Sequence, residues 1–161
     1  MKKLKPNIYI KDIYSINYDK LKENNIKCLL FDLDNTIATL DEIKPSQNII
    51  ELFKRIKRMN FDIYIFSNAI SKRVKPFSDE LKVKSIPFAL KPFKRNFKKI
   101  IEKYNKDQIA IIGDQIFTDI LGGNKAGINT ILVDPISKKD LLLTKINRIL
   151  EKLFREEEYY E

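Results

Sequence analysis

Five short apolar runs alternate along the chain with segments that resemble helices. Each run is continuous in its apolar residues rather than alternating with polar ones, which is typical of strands buried on both faces of a parallel sheet. The segments between the runs carry apolar residues at helical spacing. We therefore predict an α/β protein with a three-layer, Rossmann-like fold, right-handed crossovers and a five-stranded, mainly parallel sheet. The predicted strands lie in residues 26–34, 61–68, 86–90, 108–114 and 129–134.

Two of the connecting segments predict one-sided helices, and a third predicts a weaker one. Residues 46–60 begin with a Ser that follows a Pro and place apolar side chains on one face, and residues 95–105 show the same spacing. Residues 71–81 contain Pro76, which disturbs a helix interior unless the helix begins near Lys75.

The two ends of the chain are predicted to be additions to a central unit. Residues 137–158 predict one long helix with an apolar stripe, which we expect to pack across the sheet, with a dimer contact or a membrane surface as alternatives. Residues 1–25 are expected to cover an edge of the sheet or to contact a partner. The chain is thus interpreted as one domain over 1–161, with its core at 26–135.

The composition excludes several chemistries. The chain has no His and a single Cys, so Ser-His-Asp triads, Cys-His pairs and zinc sites built from these residues are excluded. Its four Gly residues form neither a GxGxxG loop nor a Walker-type phosphate loop. The lone Cys28 lies in an apolar run and is interpreted as a small buried hydrophobe. It also favours a cytoplasmic setting, because one Cys cannot form a disulfide framework.

Charge and hydropathy bear on the partners of this chain. The 31 Lys and Arg residues against 22 Asp and Glu residues give a net charge of +9, and the basic density peaks in 91–99 and along 54–58. Such a surface attracts anionic partners, although Lys-rich faces also serve solubility alone. No apolar run approaches the roughly 18 residues that span a bilayer. We therefore expect no transmembrane segment.

Polar residues of a matched kind follow four consecutive predicted strands. Because the carboxyl ends of parallel strands meet at one edge of the sheet, these residues are expected to lie close together. Each of them taken alone could belong to a turn or a helix cap. Their order and their common edge instead favour a functional site. They are Asp32, Asp34 and Thr36 after the first strand, Ser67 and Asn68 after the second, Lys91 after the third, and Asp114 and Asp119 after the fourth.

Phosphoryl transfer is the chemistry that these residue types suit. Asp32, Asp34 and Asp114 gather negative charge that repels itself unless a cation is bound, and ligation by oxygen alone points to Mg²⁺. One carboxylate can then attack phosphorus and form an aspartyl phosphate, while a second protonates the leaving oxygen and later takes a proton from water. A lysine and a hydroxyl supply positive charge and a hydrogen bond to the phosphoryl oxygens.

Four motifs at these positions resemble a known family. They are FDLDNT at 31–36, SN at 67–68, KP at 91–92 and GDQIFTD at 113–119. In this order and spacing they resemble the four motifs of the haloacid dehalogenase (HAD) superfamily of phosphatases. The resemblance implies the HAD fold, a Mg²⁺ cofactor and a covalent aspartyl-phosphate intermediate.

The resemblance also implies a role for each residue of the motifs. Asp32 would be the nucleophile and Asp34 the general acid and base. Lys91 would neutralise charge at the reaction centre, and Ser67 would be a ligand of the phosphate. Asn68 is placed with Ser67 and Lys91 among the substrate-binding residues.

The implied metal site draws on the first and fourth motifs. Mg²⁺ would bind the carboxylates of Asp32 and Asp114 and the main-chain carbonyl of Asp34. Asp119 matches a position that either contacts metal-bound water or orients the motif lysine. Thr36 is expected to support the first loop by hydrogen bonding.

A longer string, GDQIFTDILGGNKAG at 113–127, together with DLDNT and LDEIKP, resembles subclass IIIA of this superfamily, and within it the YqeG-type group. That group is similar to phosphatidylglycerophosphate phosphatases. Only nine residues separate Thr36 from Ser46, and twenty-two separate Asn68 from Lys91, so there is no room for a cap domain. An open site suits a phosphate displayed on something large, or a small substrate if another subunit closes the mouth.

The leading hypothesis is a Mg²⁺-dependent phosphomonoesterase that works on phosphatidylglycerophosphate. We expect it in the cytoplasm, in peripheral contact with the anionic inner face of a membrane, with the basic 91–99 stretch holding that surface at the site. One alternative is a phosphatase for a soluble sugar phosphate or a nucleic-acid end, although nucleic acid is not the expected partner. The other is a catalytically silent binding module with the same fold.

Overall fold

The computed structural model describes residues 2–137 of the chain, and these form one parallel sheet with helices on both of its faces. The predicted helix at 137–158 lies, apart from its first residue, outside the described residues. The strands stand in the order β1-β6-β5-β2-β3-β4, and every pairing between neighbours is parallel. They are β1 Ile8–Ile10, β2 Cys28–Phe31, β3 Asp62–Phe66, β4 Lys84–Ile86, β5 Ile109–Gly113 and β6 Asn129–Val133.

The sheet has six strands rather than the predicted five, because the N-terminal extension supplies one. Strand β1 pairs with β6, with Ile8 opposite Ile131. The side chain of Asn7 bonds to both the main chain and the hydroxyl of Thr130, which fixes the start of this edge strand. A strand of three residues carries too short an apolar run to be recognised by periodicity.

The three helices predicted at 46–60, 71–81 and 95–105 are present, the last of them ending at Ile101, and two short helices at Tyr18–Glu23 and Leu121–Ala126 were not predicted. Ser46 caps the second helix by accepting a hydrogen bond from the Ile49 N–H. The third helix begins at Ser71 and continues through Pro76, which lies on its exposed face, so it does not begin near Lys75. The α-helices are α1 Tyr18–Glu23, α2 Gln47–Arg58, α3 Ser71–Leu81, α4 Arg95–Ile101 and α5 Leu121–Ala126.

The strand predicted at 86–90 lies earlier in the chain, at Lys84–Ile86. After Ile86 the chain leaves the sheet, and both Phe88 and Leu90 adopt positive φ values of 49° and 56°. Left-handed backbone at these residues is incompatible with a strand. The apolar residues of this run therefore form a loop at the edge of the sheet.

Alternate residues of the central strands face two separate cores, which accounts for the continuous apolar runs. Phe31 and Ile65 point towards α1, α2 and α3, whereas Leu30 and Phe66 point towards α4 and α5. Cys28 lies in the second core and is fully buried, as predicted. The result is the expected three-layer sandwich, and within residues 2–137 no cap domain is inserted into it. No helix in that range has both the length and the apolar character to cross a membrane.

Candidate active site

The four motifs converge at the carboxyl ends of β5, β2, β3 and β4, which are neighbours in the sheet. Asp32 directly follows β2, Ser67 follows β3, and Asp114 follows β5. Lys91 lies in the loop between β4 and α4. The topology thus brings together segments that are up to about eighty residues apart in the chain, as the sequence predicted.

Three buried carboxylates form the centre of this edge. Asp32, Asp114 and Asp119 each offer an oxygen within 4.8 Å of the others, and their exposed fractions are 7%, 0% and 0%. The Thr36 hydroxyl donates a hydrogen bond of 3.2 Å to Asp114 Oδ1, so Thr36 supports the cluster from the first loop. Three carboxylates held this close in a buried place repel one another unless a cation lies between them. This set of hard oxygen donors could bind a divalent metal such as Mg²⁺.

Lys91 donates hydrogen bonds to two members of this cluster. Its Nζ donates to Asp32 Oδ1 at 2.9 Å, to Asp119 Oδ1 at 2.6 Å and to the carbonyl of Phe66 at 2.7 Å. Burial lowers the pKa of Lys91, but the carboxylates of Asp119 and Asp32 raise it by more, so the net pKa is raised above its ordinary value. Lys91 is therefore protonated and balances one of the three negative charges.

Asp119 is held by Lys91 and by the N–H of Gln115, which donates to Oδ2 at 3.2 Å. Burial and then the charge of Asp32 raise the pKa of Asp119 to about 7, against the opposing effect of Lys91. Gly113 makes room for this carboxyl group, because a Cβ at Gly113 would lie 2.2 Å from Asp119 Cγ. Sequence reasoning gave Gly113 no role, since this contact depends on a π-helical turn, Ile116–Ile120, that folds Asp119 back over the end of β5.

Asp34 has a separate partner, Arg73, which the sequence analysis did not identify. Arg73 donates to Asp34 Oδ1 through Nε at 3.1 Å and Nη2 at 3.0 Å. It also donates to the carbonyls of Thr39 and Glu42, and so ties α3 to the loop that follows β2. Burial raises the pKa of Asp34 while Arg73 lowers it, and the net direction is upward. The signal for Arg73 was its position, a basic residue in the first turn of the helix after the SN motif.

Ser67 and Asn68 connect the end of β3 to the loop that carries Lys91. The side chain of Asn68 accepts a hydrogen bond of 2.8 Å from the Lys91 N–H and donates one of 3.1 Å to the Lys91 carbonyl. Ser67 is buried, and its Oγ accepts from the Ala69 N–H at 3.1 Å. Asn68 thus fixes the backbone from which Lys91 reaches the carboxylates, a contact that the sequence did not predict.

This fold, the four motifs at the carboxyl edge of its sheet and the similarities that follow identify a phosphatase of the HAD superfamily. The chain belongs to the family described as mitochondrial PGP phosphatase, whose family model matches residues 1–137. It is 38% identical over 149 residues to "Probable phosphatase YqeG" of Bacillus subtilis, an alignment that covers 91% of this chain and 87% of that protein. The resemblance to the YqeG-type group is therefore confirmed.

Two further similarities are more distant. "Phosphatidylglycerophosphate phosphatase 1, chloroplastic/mitochondrial" of Arabidopsis thaliana is 28% identical over 148 residues, covering 84% of this chain but 42% of that protein. The cobalt-bound deoxy-D-mannose-octulosonate 8-phosphate phosphatase (YrbI) of Haemophilus influenzae superposes with a TM-score of 0.54 at 13% identity, covering 81% of this chain and 90% of that one. At this identity the superposition supports the fold alone.

Proposed function

We propose that this chain is a Mg²⁺-dependent phosphomonoesterase that forms a covalent intermediate on Asp32. The observation that carries the proposal is the position of the Asp32 carboxylate, which accepts a hydrogen bond of 2.9 Å from the ammonium group of Lys91 and offers an oxygen within 4.8 Å of those of Asp114 and Asp119. It is thus at the centre of the site and at the end of a buried strand. In the proposed site, Asp32, Asp114 and the main-chain carbonyl of Asp34 hold Mg²⁺, which supplies positive charge to the phosphoryl oxygens.

In the proposed reaction, a carboxylate oxygen of Asp32 forms a bond to phosphorus while the bond from phosphorus to the leaving oxygen breaks. Asp34 gives its proton to that leaving oxygen. It then takes a proton from water as the water oxygen attacks the aspartyl phosphate, which releases inorganic phosphate and restores Asp32. The contact with Arg73 holds the Asp34 carboxyl group at the side of the site for both transfers.

The remaining site residues are proposed to bind and to orient. Lys91 and the Ser67 hydroxyl contact the phosphoryl oxygens, where negative charge must be stabilised during transfer. Asn68 holds the Lys91 backbone, and Asp119 holds its ammonium group. Asp119 therefore acts through the lysine, which favours the second of the two roles that the sequence left open for it.

The proposed substrate is phosphatidylglycerophosphate. Two findings support it: the family to which the chain belongs is that of mitochondrial PGP phosphatases, and the Arabidopsis relative is named as a phosphatidylglycerophosphate phosphatase. The absence of a cap within residues 2–137 also suits a phosphate that is attached to a large body, because no further domain is inserted at this edge of the sheet in that range.

Phosphate release from two substrates tests this proposal. We expect the purified chain with Mg²⁺ to hydrolyse both phosphatidylglycerophosphate in mixed micelles and para-nitrophenyl phosphate. Asp32→Asn should lower both rates by about 10³-fold or more, as for loss of a nucleophile. Asp107→Asn, an exposed carboxylate at the opposite edge, is the matched control and should leave both rates unchanged.

Three outcomes would contradict parts of the proposal. Equal rates for Asp32→Asn and the unsubstituted chain would exclude a covalent intermediate on Asp32. A second contrary outcome would be hydrolysis of para-nitrophenyl phosphate and sugar phosphates but not of the lipid. That result would exclude phosphatidylglycerophosphate as the substrate and would still support phosphatase activity. Full activity in excess EDTA would show that the reaction does not require a divalent metal.

A further inference from the structure

Large apolar side chains are exposed at one edge of the sheet. Six of these side chains, which we call the apolar rim, lie in segments that follow the carboxyl end of a strand. Each of these segments leads to a helix or to the end of the described residues. Tyr14, which follows β1, is exposed at the same edge. The candidate active site lies at this edge too. The apolar rim consists of Ile43, Ile70, Phe88, Leu90, Phe93 and Ile136.

The opposite edge of the sheet is different. Its loops, at 24–27, 59–61, 82–83, 102–108 and 127–128, contain no exposed large apolar residue, although all of them lie within the described part of the chain. Single apolar residues scattered over a surface are normal and need no explanation. Exposure that is confined to one edge instead marks an interaction surface.

The backbone holds the rim in place beside the catalytic residues. The Ile136 N–H donates to the carbonyl of Asn35, the residue after Asp34, at 3.0 Å. The Phe93 N–H donates to the carbonyl of Leu90, the residue before Lys91, at 2.8 Å. Ile136 follows β6 and Phe93 follows β4, so the rim flanks the site from both sides.

Two rim residues are exposed by an unfavourable backbone conformation. Phe88 and Leu90 have φ values of 49° and 56°, in the left-handed region that side chains with a Cβ avoid. This conformation buries Ala89 between them and leaves the two large side chains about half exposed. Their exposure is therefore built into the loop, and Asn96 fixes that loop by donating to the carbonyls of Phe88 and Ala89.

Basic residues alternate with the rim along the chain. Lys44 follows Ile43, Lys72 lies two residues after Ile70, and Lys94 and Arg95 follow Phe93, all of them exposed. Asp41 is an exposed carboxylate in the same loop as Ile43, whereas Glu42 turns inward and accepts from the N–H and hydroxyl of Thr39. Large apolar side chains interleaved with Lys and Arg are the chemistry that binds a membrane with anionic headgroups.

We propose that the apolar rim is a membrane-docking surface, which inserts between the headgroups of an anionic lipid leaflet and brings the site to a phosphate at that depth. This proposal rests on the proposed lipid phosphatase function. Interfacial side chains penetrate about 5–10 Å, to the boundary of headgroups and acyl chains. The site mouth, at the same edge as the rim, then faces the headgroup layer, and a lipid phosphate can enter without leaving the membrane.

Tryptophan fluorescence tests the docking directly, because the chain has no Trp of its own. Phe93→Trp places one reporter in the rim, and Lys103→Trp places one in an exposed position at the opposite edge. With vesicles of phosphatidylcholine and phosphatidylglycerol, the emission of Phe93→Trp should shift to shorter wavelength and be quenched by brominated acyl chains. The emission of Lys103→Trp should stay unchanged. A response from neither reporter, or an equal response from both, would overturn the proposal.

The same fluorescence experiment distinguishes a membrane from a protein partner. If the emission of Phe93→Trp shifts with protein concentration in the absence of vesicles, the rim binds a second copy of this chain and the membrane proposal is overturned. A shift on pure phosphatidylcholine that is equal to the shift on anionic vesicles would overturn the role of the basic residues. A shift that needs phosphatidylglycerol supports the proposal as stated.

Kinetics separate docking from chemistry. Ile43→Ser combined with Phe93→Ser should leave hydrolysis of para-nitrophenyl phosphate within about twofold and should lower hydrolysis of vesicle-embedded phosphatidylglycerophosphate about tenfold. Lys94→Glu with Arg95→Glu should weaken binding to anionic vesicles about tenfold or more, since each basic residue near such a surface contributes about fivefold. Lys27→Glu with Lys103→Glu makes the same charge change at the opposite edge and should have a much smaller effect.

Failure of docking and failure of the proposed function give different results. If the unsubstituted chain hydrolyses the lipid in vesicles and the rim variants do so equally well, docking is overturned and the function stands. If no form hydrolyses the lipid while the emission of Phe93→Trp still shifts on anionic vesicles, docking is supported and the substrate assignment is overturned.

Discussion

Arg73 and Asp34 form a contact in which two guanidinium nitrogens donate to the same carboxylate oxygen, Oδ1, at 3.1 and 3.0 Å. The two residues come from the first turn of α3 and from the loop after β2. The Asp34 side chain is 28% exposed, so it is open to solvent on one side and fixed on the other. The contact therefore positions the group proposed to move the proton without closing the site.

Loss of Arg73 is predicted to slow the reaction and to move its pH dependence. Arg73→Gln frees the Asp34 carboxyl group to rotate and removes the cation that lowers its pKa, so that pKa rises further. We expect kcat for para-nitrophenyl phosphate to fall about tenfold or more, because a displaced catalytic group loses its alignment. Because Asp34 must be protonated to act as the acid, the alkaline limb of the kcat profile should move to higher pH.

Two variants serve as controls for this prediction. Arg73→Lys keeps a positive charge at the position and should restore the pH of the alkaline limb more fully than it restores kcat, since Lys lacks the planar fork. Lys75→Gln removes a cation from the same helix on its exposed face and should change neither quantity. A fall in kcat for Arg73→Gln with an unmoved pH profile would assign Arg73 a structural role alone.

The sequence predicted the parts of this site that depend on order along the chain. Continuous apolar runs located β2, β3, β5 and β6, and the rule that parallel strands end at a common edge then placed Asp32 beside Asp114. It did not predict contacts that depend on how distant segments turn. Arg73 reaches Asp34 across thirty-nine positions, and no local pattern records that approach.

The loop at 87–93 is a second feature that the sequence did not predict. Its apolar residues predict a strand by composition, but Phe88 and Leu90 adopt left-handed backbone and expose their side chains. Hydrophobic pattern measures the apolar content of a segment and not the direction of each side chain. The apolar rim is consequently a property of the folded chain that the sequence alone did not indicate.

Gly113 is predicted to be essential for the position of Asp119. In Gly113→Ala the new Cβ would lie 2.2 Å from both Cγ and Oδ2 of Asp119, so the carboxyl group must move away from Lys91. We expect a loss of about 1–3 kcal/mol in the free energy of unfolding, as for other overpacked buried positions, together with a marked loss of turnover. Urea denaturation and hydrolysis of para-nitrophenyl phosphate measure the two effects.

Gly127→Asn is the comparison for this variant. Gly127 lies at the opposite edge with φ of 78°, a left-handed conformation that Asn tolerates, and its nearest neighbour is the flexible side chain of Lys106. This substitution should keep the activity and nearly all of the stability. If Gly113→Ala were as stable and active as Gly127→Asn, the Asp119 carboxyl group would not depend on the absence of a side chain at position 113.

Mg²⁺ is predicted to stabilise the folded chain through the acidic cluster. A ligand that binds only the folded state adds about 2.7 kcal/mol when present at one hundred times its Kd. We therefore expect the melting temperature of the unsubstituted chain to rise by several degrees in millimolar Mg²⁺. In Asp114→Asn the rise should be lost, because one of the three buried carboxylates is gone. Asp107→Asn, which is exposed, should respond like the unsubstituted chain.

The stabilisation by Mg²⁺ is predicted to depend on pH through Asp119. Its pKa in the folded, metal-free chain is raised to about 7, so below that pH Asp119 is protonated and adds less negative charge beside the bound metal. The melting-temperature rise should therefore be smaller at pH 6 than at pH 8. In EDTA, where no metal is bound, the stability of the folded chain should instead decrease as the pH rises. A carboxyl group with a raised folded-state pKa stabilises the folded state fully at low pH, and this contribution is lost as the pH rises through about 7.

Urea denaturation in EDTA checks that sign. Between pH 6 and pH 8 the free energy of unfolding should decrease in the unsubstituted chain, and the decrease should be smaller in Asp119→Asn, which keeps an acceptor for Lys91 but has no proton to lose in this range. A free energy of unfolding that increases over the same interval would contradict the raised pKa of Asp119.

Cys28 is predicted to be inert towards thiol reagents in the folded chain. Burial, and after it the charge of Asp62, raises the pKa of this thiol to about 12. Only the thiolate reacts, and at pH 8 a thiol with that pKa is ionised to about one part in 10⁴. We expect the folded chain to react with Ellman's reagent about 10³-fold more slowly than a Lys99→Cys, Cys28→Ser variant, whose thiol is on the surface. In denaturing urea the two proteins should react at equal rates, which shows that the difference comes from the fold. Rapid labelling of Cys28 before unfolding would mean that β2 opens readily, and would contradict its place in the centre of the sheet.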